Sequence, residues 1–342
     1  MADCQWLATL HAHGLLRSGF VPDASIRRLQ DYMRLRHDKV SLAAGHVQHM
    51  QKALERMNVK LHDVISSLTG KSGLAVIKAI LQGERDPQRL LELCEMRIRK
   101  NKADAVRESL RGTWREEHLF ALRQALAGWE FYQGQIAECD HAIEALLKEM
   151  AGPGDPSRTP LTQGKHYLAA NAPQIDGLHG ILVKLCGGHD PTSIPAIADY
   201  SLLQLISEVG TDLSKWPTEK HFTSWTGLAP GNNQSGKRRG RSVRRRNRAG
   251  QIFCTLAMSL SRSVDKGLGG FYRRLKARRG GLIANKALAR KIAALFWQVM
   301  VRGVAYAEEG LKRYEARVVE TETRVLRKLA QKHGFALQQI RA

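Results

Sequence analysis

Two long apolar series constrain this chain more than any other feature. Ile26, Leu29, Met33, Val40, Ala43, Val47, Met50, Leu54 and Met57 fall on alternating three- and four-residue steps, interrupted only at Arg36. Leu119, Leu122, Leu126, Trp129, Ile136, Ile143, Leu147 and Met150 repeat the pattern, with Gln133 and Asp140 as polar interruptions. Steps that average 3.5 residues place each series on one stripe of an α-helix, the pattern of coiled-coil helices. At 1.5 Å per residue, each helix would be about 50 Å long. Paired coiled-coil helices and two long helices of one globular bundle both satisfy the spacing.

The rest of the chain also reads as helical. A first helix is expected from Asp3 to Leu16, broken at "SGFVPD" by Gly19 and Pro22, with Asp23 free to cap the next helix. Residues 60–113 read as short helices and turns. "AGPGDPSRTP", residues 151–160, holds three prolines and two glycines and reads as a linker. The segments are therefore 1–19, a coiled-coil or helical region 20–150, a linker 151–165, and a C-terminal domain 166–342. Within the last, "TSIPAIADYSLLQLISEVG" resembles a helix-hairpin-helix, although Ala196, Ile197 and Ala198 occupy the turn where Gly-x-Gly is usual. "TEKHFTSWTGLAPG" reads as a short helix ending at Gly227, and further helices are expected at about 247–264, 268–279, 284–303 and 316–333. No convincing parallel-strand pattern appears, so the fold class is mostly α.

Charge narrows the partners. The formal net charge is +22, unevenly placed: residues 1–150 carry 22 Lys/Arg against 19 Asp/Glu, and the remainder 32 against 13. A net of +19 in the second part calls for a polyanion, and a phosphate backbone is the usual one. An anionic membrane is the weaker reading, because no uninterrupted apolar span of about 20 residues exists. The longest apolar run, "IAALFWQVMV" at 292–301, suits a buried helix. Five dispersed cysteines without a CxxC or Cys/His cluster indicate neither a zinc site nor a disulfide framework. The N-terminus lacks a signal-peptide pattern, so a cytoplasmic protein working with nucleic acid is expected.

The basic charge is densest in "GLAPGNNQSGKRRGRSVRRRNR". Lys237, Arg238, Arg239, Arg241, Arg244, Arg245, Arg246 and Arg248 lie within fourteen residues, and Ser235 stands at the mouth of the run before Gly236. One reading is a solvated arm that binds phosphates without chemistry. The other is phosphoryl transfer. A serine attacking a DNA phosphodiester passes through a transition state with charge on the non-bridging oxygens, and arginine forks match that geometry while staying ionised. Gly236 would let the backbone approach a phosphate closely. A serine nucleophile needs a proton acceptor, yet no Asp lies within fifteen residues of Ser235, Glu219 falls just outside, and His221 is the nearest histidine. Its activation is expected from elsewhere in an assembly.

"DCQWLATLHAHGLLRSGFVP", "HVQHMQKALERMN", "GTDLSKWPTEKHFTSWTGLAPG" followed by "SGK", and "FYRRLKAR" resemble the insertion-sequence 110 family of bacterial transposases, from Asp3 to the C-terminus. The resemblance implies a RuvC-like nuclease domain with four metal-binding carboxylates, a coiled coil, and a C-terminal transposase domain with a catalytic serine. It also implies a structured bridge RNA that specifies donor and target DNA. The family's serine falls on Ser235; Lys237 stands where a second glycine is common, and Ser242 is the runner-up nucleophile. Asp3 matches the second Asp of the family's D-x-x-D pair and would be a Mg²⁺ ligand. Its partner would precede Met1, so segment 1–19 is expected to be the remnant helix of the nuclease domain in an N-terminally truncated member. One carboxylate cannot hold Mg²⁺ alone, so the chain is expected to be inactive by itself.

The partners implied are DNA, the bridge RNA and further copies of the chain through the coiled coil, with no membrane. The rival expectation is a non-catalytic nucleic-acid-binding relic that dimerises with full-length transposase and inhibits it.

Overall fold

A computed structural model describes residues 2–16, 19–153, 171–230, 234–235, 238–239, 246–263 and 267–335. Most of the expected linker, residues 154–165, lies outside the described residues. The fold is mostly α. Its helices are α1 (Ala2–Ala12), α2 (Ala24–Arg56), α3 (Leu61–Val64), α4 (Lys71–Leu81), α5 (Pro87–Glu92), α6 (Met96–Ser109) and α7 (Glu116–Ala151). Beyond residue 170 come α8 (Leu178–Leu185), α9 (Asp199–Val209), α10 (Glu219–Trp225), α11 (Arg248–Ser261), α12 (Leu268–Arg279), α13 (Gly281–Arg302) and α14 (Val304–Lys332). Two short strands, β1 (Gln234–Ser235) and β2 (Arg238–Arg239), pair antiparallel between α10 and α11.

The chain divides into two compact units, one of residues 31–145 and 170–175, the other of 1–30, 146–169 and 176–342. In the first, the heptad stretches of α2 and α7 run antiparallel, since rising numbers on α2 meet falling numbers on α7. Arg36 pairs with Asp140, Lys39 Nζ lies 5.8 Å from the Tyr132 ring centre, and the His46 ring packs 5.5 Å from Tyr132 and over Gly128. The apolar seams meet a core built with α3 to α6, in which Met50, Leu54, Met57, Ile77, Ile80, Leu90, Leu110, Leu122 and Leu126 are buried. Just past α2, Asn58 takes a positive φ of 59° while the Val59 amide bonds back to the Leu54 carbonyl. Asp86 caps α5 by accepting from the Gln88 amide at 3.1 Å, with Pro87 at the first helical position.

The second unit gathers α8 to α13 around an aromatic core. Phe222, Phe253 and Phe296, from α10, α11 and α13, are fully buried with ring centres 5.7 to 6.3 Å apart. The apolar run 292–301 is a buried helix as expected, with Ile292, Phe296, Trp297 and Val299 in the core. Trp297 Nε1 donates to the Leu213 and Trp216 carbonyls at 3.3 and 3.1 Å, so its polar edge is satisfied. No helix among the described residues is long and apolar enough to cross a membrane.

Three boundaries depart from the sequence reading. α1 stops at Ala12, before Gly14 with φ 66°, rather than at Leu16. α8, eight residues long and too short to show a period, falls where the sequence reading names no element. α14 begins at Val304, twelve residues before the expected 316, immediately after Gly303 breaks the helical path at φ 87°.

Candidate functional site

The basic loop springs from α10 and returns into α11, and both junctions are tightly built. At the outgoing end, Thr218 caps α10: its Oγ1 accepts from the His221 amide at 3.4 Å and lies 2.8 Å from His221 Nδ1. The His221 ring is thus engaged at the helix start. The Gln298 amide donates to Glu219 Oε2 at 3.2 Å, tying α10 to α13. Thr226, wholly buried, donates its hydroxyl to the Thr223 carbonyl at 3.0 Å.

At the return end, Asn247 caps α11. Its Oδ1 accepts from the Gly250 amide at 2.9 Å, and its Nδ2 donates to the Trp225 carbonyl at 3.3 Å. The same side chain therefore starts α11 and ties it to the end of α10. Gly250 sits where a Cβ would penetrate the shell of the Thr226 carbonyl oxygen, so the two helices approach closer than alanine would permit. Arg246 Nη1 donates to Cys254 Sγ at 3.0 Å, in the second turn of α11. Asn285 of α13 donates to the Cys254 carbonyl at 3.2 Å. Sequence reasoning missed Thr226, Asn247, Gly250 and Asn285; Asn before a helix was the one available signal.

Between these junctions, β1 and β2 set a register in which Ser235 stands opposite Arg238 and Gln234 opposite Arg239. The serine and an arginine of the basic run are thus backbone partners in one ladder. Arg248 opens α11 and is exposed, as is Arg246. Lys237, Arg241, Arg244, Arg245 and Ser242 lie outside the described residues.

A polar cluster precedes the loop. His179 of α8 is buried, with Nδ1 2.8 Å from Asp199 Oδ1 and Nε2 3.7 Å from Asp190 Oδ2. Asp190 also accepts from the Thr192 amide and hydroxyl at 2.9 and 2.6 Å. These bonds brace the turn between α8 and α9, in which Ala196 takes φ 77°. That is the left-handed conformation a glycine would hold at lower cost. Ala196 thus supplies, without a glycine, one left-handed residue in this turn.

Asp3 is exposed on α1. Among the described residues, no group of three or more His, Cys, Asp or Glu side chains is arranged to hold a metal ion. The described side chains therefore do not fit a Mg²⁺ site, and no chemical step is assigned to one.

Residues 192–273, from the braced turn through the serine loop to the first half of α12, match the family model for the Transposase IS116/IS110/IS902 family. Comparison with curated proteins and with solved structures gave no match.

Proposed function

We propose, from the match of residues 192–273 to the Transposase IS116/IS110/IS902 family model, that the chain is an RNA-guided serine recombinase in which Ser235 attacks DNA phosphodiesters. The observation that carries the proposal is the position of Ser235. It lies inside the matched segment, in backbone register with Arg238, on a loop whose ends are held by Thr226, Asn247 and Gly250. In the proposed step, Ser235 Oγ bonds to phosphorus and one strand oxygen leaves. The serine's proton ends, in net terms, on the departing strand hydroxyl. The phosphoserine ester conserves the bond energy, so the reverse attack by another strand hydroxyl rejoins DNA without an external energy source. Arginines offset the charge on the non-bridging oxygens; they are poor bases because they hold their protons at neutral pH. Binding of a structured guide RNA and self-association through the heptad helices belong to the same reading.

Two measurements test it. With guide RNA, Mg²⁺, suicide DNA substrates and the family's carboxylate-bearing nuclease domain supplied alongside, the chain should yield a covalent DNA adduct and Ser235→Ala none, while duplex affinity stays nearly unchanged; without that domain the chain should bind and yield no adduct. An adduct that persists in Ser235→Ala and vanishes in Ser242→Ala would move the nucleophile. Binding without any adduct when that domain is supplied would instead support a non-catalytic nucleic-acid binder. Neutralisation of about six phosphates should give a log–log salt slope near −5 on duplex DNA, and a slope shallower than about −2 would count against phosphate-driven binding.

A further inference from the structure

Beyond the serine loop, residues 266–307 contain ten Lys/Arg and no Asp or Glu. This stretch is the α12–α13 hairpin, and its two helices are joined by Gly280 alone, at φ 83° and ψ 166°. Lys276, Arg278 and Arg279 crowd the last turn of α12, and Lys286 follows in the second turn of α13. Between them, at the tip, stand Leu282, 91% exposed, and Ile283, 54% exposed. No larger exposure is found among the buried-or-exposed large apolar side chains of the described residues. Ala284 and Leu288, directly behind, are fully buried, so the tip projects from a rigid helix.

We propose that this tip is a wedge that inserts Leu282, supported by Ile283, between base pairs of duplex DNA while Arg278, Arg279 and Lys286 hold the flanking phosphates. The inference rests on the reading of the chain as a DNA-acting transposase and adds a DNA-distorting element outside its serine loop. Three features favour it. Aliphatic side chains flanked by cations are the means by which minor-groove proteins unstack a base step and kink the duplex. The absence of carboxylates over the whole hairpin removes the repulsion that a phosphate backbone would meet. Lys291 Nζ, over the Phe271 ring at 4.8 Å, is a further cation on the same hairpin. A bilayer is the poorer partner, because interfacial helices bury an apolar face along their length, whereas here the exposed apolar surface is two residues deep.

The experiment uses the full chain, the double variant Leu282→Ser/Ile283→Ser, and the double variant Arg278→Gln/Arg279→Gln. Each is bound to a short linear duplex across a salt series and to relaxed closed-circular plasmid in the presence of a type I topoisomerase. The wild type should lower the plasmid's linking number, because an opened base step unwinds the helix. The serine variant, altered only at exposed positions, should keep its circular dichroism and its salt slope but leave the linking number at that of the protein-free control. The glutamine variant should lose about 2 from the salt slope, for two phosphate contacts. The proposal is overturned if the serine variant unwinds the plasmid as well as wild type, or if wild type binds without unwinding it. It is also overturned if the serine substitutions abolish binding to phosphatidylserine vesicles or to structured RNA while plasmid unwinding persists. If wild type binds no duplex at all, the proposed function itself fails, an outcome distinct from binding without unwinding.

Discussion

Arg36 and Asp140, the charged interruptions of the two heptad series, are each other's partners. Arg36 is 2% exposed and Asp140 6%. The guanidinium faces the carboxylate through Nε and Oδ1, and through Nη2 and Oδ2 at 3.4 Å. Arg36 Nη1 also donates to the Asn171 carbonyl at 2.8 Å, and Asp140 Oδ2 accepts from the Gln174 amide at 3.2 Å. A charge pair in an apolar seam fits one alignment of α2 against α7, because a slip by one heptad would bury each charge against aliphatic side chains.

Removing one partner should therefore cost far more than removing both. Asp140→Ala leaves a buried guanidinium without its carboxylate and should destabilise the chain by roughly 3–5 kcal/mol. Arg36→Met/Asp140→Leu fills the same seam with apolar volume and should come within about 1 kcal/mol of wild type or exceed it. Urea unfolding followed by circular dichroism reads both. If Asp140→Ala unfolds at the wild-type midpoint, the pair does not hold the seam.

What could be read from the sequence follows how local each feature is. The two seams were legible because period and burial coincide: Leu29, Met50, Leu54, Leu122, Ile143 and Leu147 are all buried where the heptads place them. The pairing of Arg36 with Asp140 was not, since a partner 104 residues away leaves no local signature. Ala196 shows the opposite case: residue type argued against a left-handed position, yet it takes φ 77° in a turn where His179 contacts Asp190 and Asp199. The basic run announced itself by composition. The clamp at its base did not, because Gly250 inside a helix looks only like a local cost until Thr226 is seen against it.

That clamp gives the second prediction. A Cβ at Gly250 would overlap the Thr226 carbonyl, a backbone atom that cannot swing aside, so Gly250→Ala should cost about 1–3 kcal/mol through overpacking. Asn247→Ala removes the α11 cap and the bond to the Trp225 carbonyl, and about 1 kcal/mol is expected for the cap. Both should also weaken duplex binding, since they hold the return end of the basic loop. Thermal melts and anisotropy titrations together decide this; full stability with reduced binding would place the effect in the loop and not in the clamp.

The cysteines supply a third. Burial pushes the Cys186 thiol up to about 12, with Asp190 adding to the shift, and burial likewise raises Cys94 and Cys139. Thiolate is the reactive form, so these three should resist maleimide at pH 7 until the chain is unfolded. Cys4 is exposed and should be modified first. Peptide mass spectrometry after timed labelling orders the sites, and early modification of Cys186 would contradict its buried place at the end of α8.

Lys291 yields the last prediction, in pH. Burial, and then the charge of Arg274, lowers its ammonium from 10.5 to about 8. Between those values the unfolded chain binds a proton that the folded chain does not, so unfolding free energy rises with pH across the window. The penalty is fully present below about pH 8 and is gone above about 10.5. Lys291→Met keeps the stem that packs on Phe271 and deletes the charge. It should be the more stable protein at pH 7, by on the order of 1 kcal/mol once partial solvent screening is allowed for, with the difference closing as pH approaches 10.5. A phosphate bound beside Arg274 and Lys291 would reverse the repulsion and raise the ammonium again, so duplex binding near pH 8.5 should take up protons, about half of one per site or less. Calorimetric titrations in two buffers of different ionisation enthalpy measure that uptake directly. Equal uptake by wild type and Lys291→Met would assign the proton to another group and separate Lys291 from the nucleic-acid face of the hairpin.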